Sequence, residues 1–204
     1  MLDDFDQQIR ESIRIKTTLL EDSSSLELIA QVCELLCQRI RMGNKIIFAG
    51  NGGSAADAQH LAAELVSRYE FDRPGLPAMS LSTDTSILTA IGNDYGYEHL
   101  FSRQLHAIAR SGDVFVGVTT SGKSRNICRA FEACKELKLN SVALCGQGGE
   151  LDRLVHYCIR VPSDQTPRIQ ECHILIGHLI CSQVERLMFP SQANSINRNL
   201  PQIS

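Results

Sequence analysis

The 204-residue chain has no tryptophan and only 5 % aromatic residues, and no apolar run nears the roughly 20 residues that a membrane-spanning helix needs. Charge of one sign is not concentrated anywhere. With 20 basic and 23 acidic residues the net charge is −3, which gives no electrostatic footprint for nucleic acid or an anionic membrane surface. The first ten residues, MLDDFDQQIR, are acidic and lack the basic and apolar regions of a secretory signal, so a cytoplasmic protein is expected. The eight cysteines never form a C-x-x-C pair, and most lie inside apolar periodic stretches. They read as reduced core residues rather than disulfides. There is no internal repeat and no low-complexity tract, and small polar metabolites remain open as partners.

What is present is 43 % hydrophobic residues, enough for one sizeable core and short for two. Residues 5–21 and 26–42 carry helical periodicity, the second stretch ending at Gly43. Short apolar runs follow at residues 45–50 (KIIFAG), 77–83, 113–120, 141–146 and 157–162, with helical patterns between most of them. Strands alternating with helices predict right-handed crossovers and a parallel sheet covered on both faces. The expected class is α/β, a doubly wound five-stranded sheet preceded by helices at residues 1–43. The main domain is expected over residues 44–190, its last helix over about 166–188, and a loose polar tail over 191–204. In such sheets ligands bind beyond the carboxyl ends of the strands, which directs attention to the loops after Gly50, Thr83 and Thr120.

The first loop, GNGGS (residues 50–54), joins a strand to a helix. Gly52 and Gly53 can take positive φ, and Ser54 is suited to cap the helix. A tight turn alone would need the glycines, but such a turn also cradles anions. TTSGKS (119–124) adds hydroxyls on Thr119, Thr120, Ser121 and Ser124 around Gly122, suiting the terminal oxygens of a phosphomonoester. Residues 117–124 also satisfy the G-x-x-x-x-G-K-[ST] triphosphate motif. Gly117, however, falls inside an apolar run, so the loop is too short to wrap two phosphates, and no later strand ends in the Asp that would hold Mg²⁺.

The helix after the first loop places His60, Glu64 and Arg68 at successive fourth positions, one polar stripe opposite Ala58, Leu61, Ala62 and Leu65. A solvated face explains such a stripe equally well. Small neighbours and an adjoining anion loop favour a ligand. In residues 168–185 Gln170, Ile174 and His178 again advance by fours on an otherwise apolar helix, where a histidine is most often a core residue. Brought together, His60, Glu64, Gln170 and His178 would offer two imidazoles, a carboxylate and an amide oxygen, a donor set compatible with Zn²⁺ or a related divalent ion.

GNGGSAADAQHLAAEL, RPGLPAMSLS, IGNDYG, FSRQL, GDVFVGVTTSGKS and RIQECHILIGH together resemble the successive motifs of the phosphoheptose (sedoheptulose 7-phosphate) isomerases, members of the SIS, or sugar isomerase, domain class. The resemblance covers about residues 44–188. It implies a flavodoxin-like sheet, a homotetramer with sites near subunit interfaces, and interconversion of sedoheptulose 7-phosphate with D-glycero-D-manno-heptose 7-phosphate, leading toward lipopolysaccharide or other surface heptose. It further implies Glu64 as general base and His178 as acid, with zinc on His60, Glu64, Gln170 and His178. Substrate contacts would come from Asn51, Gly52, Gly53, Ser54, Arg68, Asn93, Asp94, Thr119, Thr120, Ser121, Ser124 and Gln170. A non-enzymatic DnaA-binding replication factor of the same fold is the alternative, but it looks to lack counterparts of Glu64 and His178.

Overall fold

The structure is a computed structural model and describes residues 1–197. Two long helices, α1 (Leu2–Glu21) and α2 (Ser23–Arg41), precede the sheet. Asp22 separates them: its carboxylate accepts from Ser24 N–H at 3.1 Å and caps α2. Strands β1 (Ile46–Gly50), β2 (Ala78–Ser80), β3 (Val114–Thr119), β4 (Asn140–Cys145) and β5 (Tyr157–Arg160) form one parallel sheet in the order β2-β1-β3-β4-β5. This is the doubly wound, flavodoxin-like topology expected, with β1 and β3 adjacent at the switch point.

Alternation along the strands divides the core in two. Ile46, Phe48, Val114, Val116 and Val118 face α2, α3 (Gly53–Val66) and α7 (Thr166–Met188). Ile47, Ala49 and Phe115 face α4 (Thr85–Asp94), α5 (Leu100–Ile108) and α6 (Arg125–Glu136). Both faces are covered, which is why the strands read as continuous apolar runs. Gly117 lies inside β3, paired with Ala49 and Ala143. A Cβ there would stand 2.6 Å from the Phe131 ring, so this glycine serves the packing of α6 and the triphosphate motif is accidental. All eight cysteines are free. The segment read as a loose tail begins instead with α8 (Pro190–Asn197), and the rest of it lies outside the described residues. Among the described residues no helix is long and apolar enough to cross a membrane.

At the amino edge of the sheet Asp113, 1 % exposed, locks β3 to β1. Its carboxylate accepts from Lys45 N–H (2.9 Å), Lys45 Nζ (2.6 Å) and Arg110 N–H (2.8 Å). Burial would raise the pKa, but these donors outweigh it and hold the group below its ordinary 3.8. The stabilisation is therefore complete above the unfolded-state pKa and is lost as pH falls through the lower folded-state value. Asp113→Asn should cost about 1–3 kcal/mol at neutral pH and flatten the acid limb of the stability curve, as read by urea unfolding at stepped pH values.

Candidate active site

Two strand-to-helix loops lie side by side at the carboxyl ends of β1 and β3. Gly52, at φ 55°, is the N-cap of α3, so the helix begins at Gly53 and no side chain caps it. Ser54, expected as the cap, is instead buried in the first turn at 4 % exposure. In the second loop Ser124 is the N-cap of α6 but makes no capping bond; its hydroxyl lies 3.3 Å from the Thr119 hydroxyl, which donates to it. The Ser121 hydroxyl accepts from Lys123 N–H at 3.2 Å. Two helix N-termini thus reach the same edge without side-chain caps, an arrangement suited to an anion.

The loops are tied together by Asn51 and Asn126, whose side-chain amides bond reciprocally at 2.9 and 2.8 Å. Tyr97 Oη also donates to Asn51 Oδ1, at 2.8 Å. Sequence reasoning missed Asn126 and Tyr97. Asn126 at the second position of a helix was an available signal, since a polar side chain beside a loop is buried only if it has partners. Asn93 and Asp94 bond to one another at 2.8 Å on the exposed end of α4, three to four residues before Tyr97.

The helices α3 and α7 pack side by side and parallel: Gly53 meets Gln170, His60 meets His178 and Leu61 meets Gly177. His60 Nε2 and His178 Nε2 are 2.9 Å apart, and Glu64 Oε1 is 3.4 Å from His60 Nε2. Tyr69 stacks beside His178 with ring centroids 5.4 Å apart. Two imidazoles and a carboxylate from distant segments therefore converge as expected. At that spacing one Nε2 carries a hydrogen and the other accepts it. The second histidine of α7, His173, is fully buried and burial pushes its pKa down to about 4, so it is a neutral core residue.

Two expected members are placed otherwise. Gln170 presses on Gly53, eight residues and about 12 Å of helix rise from His178, so within one chain its amide is held at the anion loop. Arg68 is not on the helix at all, because α3 ends at Val66. The cause is Arg73, whose guanidinium takes the carbonyls of Leu65 (2.6 Å), Glu64 (2.8 Å) and Ser67 (3.1 Å), the groups a helix end leaves unpaired. Arg73 is itself fully buried against Glu185, Nε to Oε1 2.9 Å. Glu185 also accepts from the backbone N–H groups of Tyr69 (2.9 Å) and Glu70 (2.7 Å). This ion pair ties the end of α3, which carries Glu64, to α7, which carries His178.

The SIS domain family matches residues 9–146. A phosphoheptose isomerase of Aneurinibacillus thermoaerophilus is 56 % identical over 197 residues, 96 % of this chain and 100 % of that protein. The chain belongs to the phosphoheptose isomerase family. The phosphoheptose isomerase structure from Neisseria gonorrhoeae superposes with a TM-score of 0.84 at 41 % identity, covering 90 % of this chain and 98 % of that one. The Francisella tularensis structure gives 0.86 at 34 % identity, over 91 % and 98 %. Membership in this family makes the chain a phosphosugar isomerase and favours that reading over the initiator-binding one.

Proposed function

We propose that the chain interconverts sedoheptulose 7-phosphate and D-glycero-D-manno-heptose 7-phosphate, supplying heptose for lipopolysaccharide or another surface polysaccharide from the cytoplasm. The observation that carries this reading is the convergence of Glu64, His60 and His178 from two helices, one of which starts at the anion loop. The phosphate would sit on the N-termini of α3 and α6 among Ser54, Thr119, Thr120, Ser121 and Ser124. Asn51, Gly52, Gly53, Asn93, Asp94, Gln170 and the exposed Arg68 would flank the sugar chain.

Glu64 then takes the proton from C1 of the ketose, and the freed electron pair forms the C1–C2 double bond. The carbonyl electrons move to O2, which accepts a proton from His178. In the second half the O1 hydroxyl gives its proton to His178, restoring the acid, while C1 becomes the aldehyde and Glu64 returns a proton to C2. No net oxidant is needed.

Zinc is proposed as the ion that the same imidazoles would hold. The nitrogen and oxygen donors suit it in kind, and bound there it would polarise the sugar carbonyl. Among the described residues no three His, Cys, Asp or Glu side chains close into a metal cage, so the imidazole pair would hold the ion and Glu64 would have to turn toward it, while Gln170, about 12 Å of helix rise away in the same chain, would have to come from another subunit.

A homotetramer is proposed as the working assembly. Leu2, Phe5, Ile9 and Ile13 on α1 are 52–79 % exposed along one face, more apolar surface than a free helix ordinarily shows.

The test is conversion of sedoheptulose 7-phosphate in D₂O. Aldose carrying deuterium at C2 is expected from the enediol route. No conversion would overturn the reading, and conversion without isotope would replace it with a hydride shift.

A further inference from the structure

The loop after β4, Gly146-Gln147-Gly148-Gly149, touches no catalytic group, yet it forms one wall of the 119–124 turn. Gly146 N–H donates to Thr120 C=O at 3.1 Å. A Cβ on Gly148 would stand 2.7 Å from Ser121 O, and one on Gly149 2.3 Å from Gly122 O. The two loops therefore lie backbone against backbone with no side chain between them, and neither can change shape alone.

What holds the second loop is Arg160, the last residue of β5. Its Nη1 donates to the carbonyls of Gly146 (3.0 Å) and Gly148 (3.1 Å), and Nη2 to that of Gly149 (3.4 Å). Nη2 also bonds to Asp152 Oδ2, and Nε reaches Asp152 Oδ1 at 3.4 Å. A guanidinium has five N–H donors, and all five are engaged. Arg160 has no hydrogen left for a phosphate. Its fork turns three carbonyl oxygens toward β5, where otherwise these dipoles would be free to swing toward the turn that receives an anion.

We propose that Arg160 is a positioning residue for the phosphate subsite: it fixes loop 146–149, and through it the shape of the 119–124 turn. The inference rests on the phosphate placement given above. A lysine at 160 would keep the charge but could not hold three carbonyls at once. Its geometry, not its field, is what the subsite uses.

The experiment compares wild type with Arg160→Lys, Arg160→Gln and Gly148→Ala, measuring kcat, KM for sedoheptulose 7-phosphate, and competitive inhibition by inorganic phosphate. Both Arg160 variants should raise KM and the phosphate inhibition constant together by about tenfold, with kcat within about threefold. Gly148→Ala, which pushes directly on Ser121 O, should reproduce that split and keeps the question answerable if the Arg160 variants fail to fold. Normal behaviour of Arg160→Lys would mean that charge alone suffices and would overturn the proposal, as would unchanged phosphate inhibition in Gly148→Ala. Absence of turnover in the wild type would instead sink the isomerase reading itself, so the two failures are separable.

Discussion

Glu64→Gln should lower kcat by at least about a hundredfold with little change in KM, because the amide fills the same space but cannot accept a proton from carbon. Structural collapse is not expected to account for the loss. Glu64 contributes its backbone carbonyl to Arg73, which the substitution retains, and its side chain makes only the 3.4 Å approach to His60. Melting temperature measured alongside the rate should therefore hold within a few degrees. Solvent exchange at C1 should vanish in step with turnover, since both need the same proton acceptor. A variant that keeps more than a fifth of the wild-type rate would remove Glu64 as the base and leave His178 to be tested for that duty.

The largest effect on stability is expected at Glu185. Its removal as Glu185→Ala leaves the fully buried Arg73 guanidinium without its counter-ion and frees two backbone N–H groups, of Tyr69 and Glu70. Breaking one side of a buried ion pair costs about 3–5 kcal/mol, which in a domain of this size lowers the melting temperature by roughly 10 °C or more. Replacing both partners by apolar residues, Arg73→Met with Glu185→Leu, should recover much of that loss, because no charge is then stranded. It should not recover the activity, since the carbonyls of Glu64 and Ser67 lose the guanidinium that capped them. Calorimetry at fixed protein concentration reads the first expectation. A single variant melting within 2 °C of wild type would show that water or the loop itself replaces the carboxylate.

The sheet was legible because a parallel strand covered on both faces must be apolar throughout, and the runs at KIIFAG and DVFVGVTT have no other economical reading. Helix α7 was legible for a related reason: Pro167 favours a helix start, and apolar periodicity then persists to Met188. Local signals failed where distant residues decide. Arg68 looked like the next step of the α3 stripe, and the helix is stopped by Arg73, which takes its last carbonyls, and by Glu185, which takes the N–H groups of Tyr69 and Glu70. The Pro74-Gly75 dipeptide just beyond hinted at a break. The two imidazoles could be suspected of meeting from their chemistry, but their 2.9 Å separation depends on how two helices 118 residues apart are packed. Asn126 and Tyr97 reach Asn51 across 75 and 46 residues, separations at which periodicity carries no information. Likewise no pattern in RVPSDQ announces that Arg160 governs a loop fourteen residues earlier.

Gly177 has no functional group, yet it determines how near the two reactive side chains come. Leu61 occupies the space where its Cβ would be, at 2.4 Å, and the histidines at 60 and 178 are the immediate chain neighbours of that contact. The gap between the two imidazoles is thus written in the thickness of an interhelical seam, where an atom withheld from the backbone lets side chains from two distant stretches of sequence come within reach of each other.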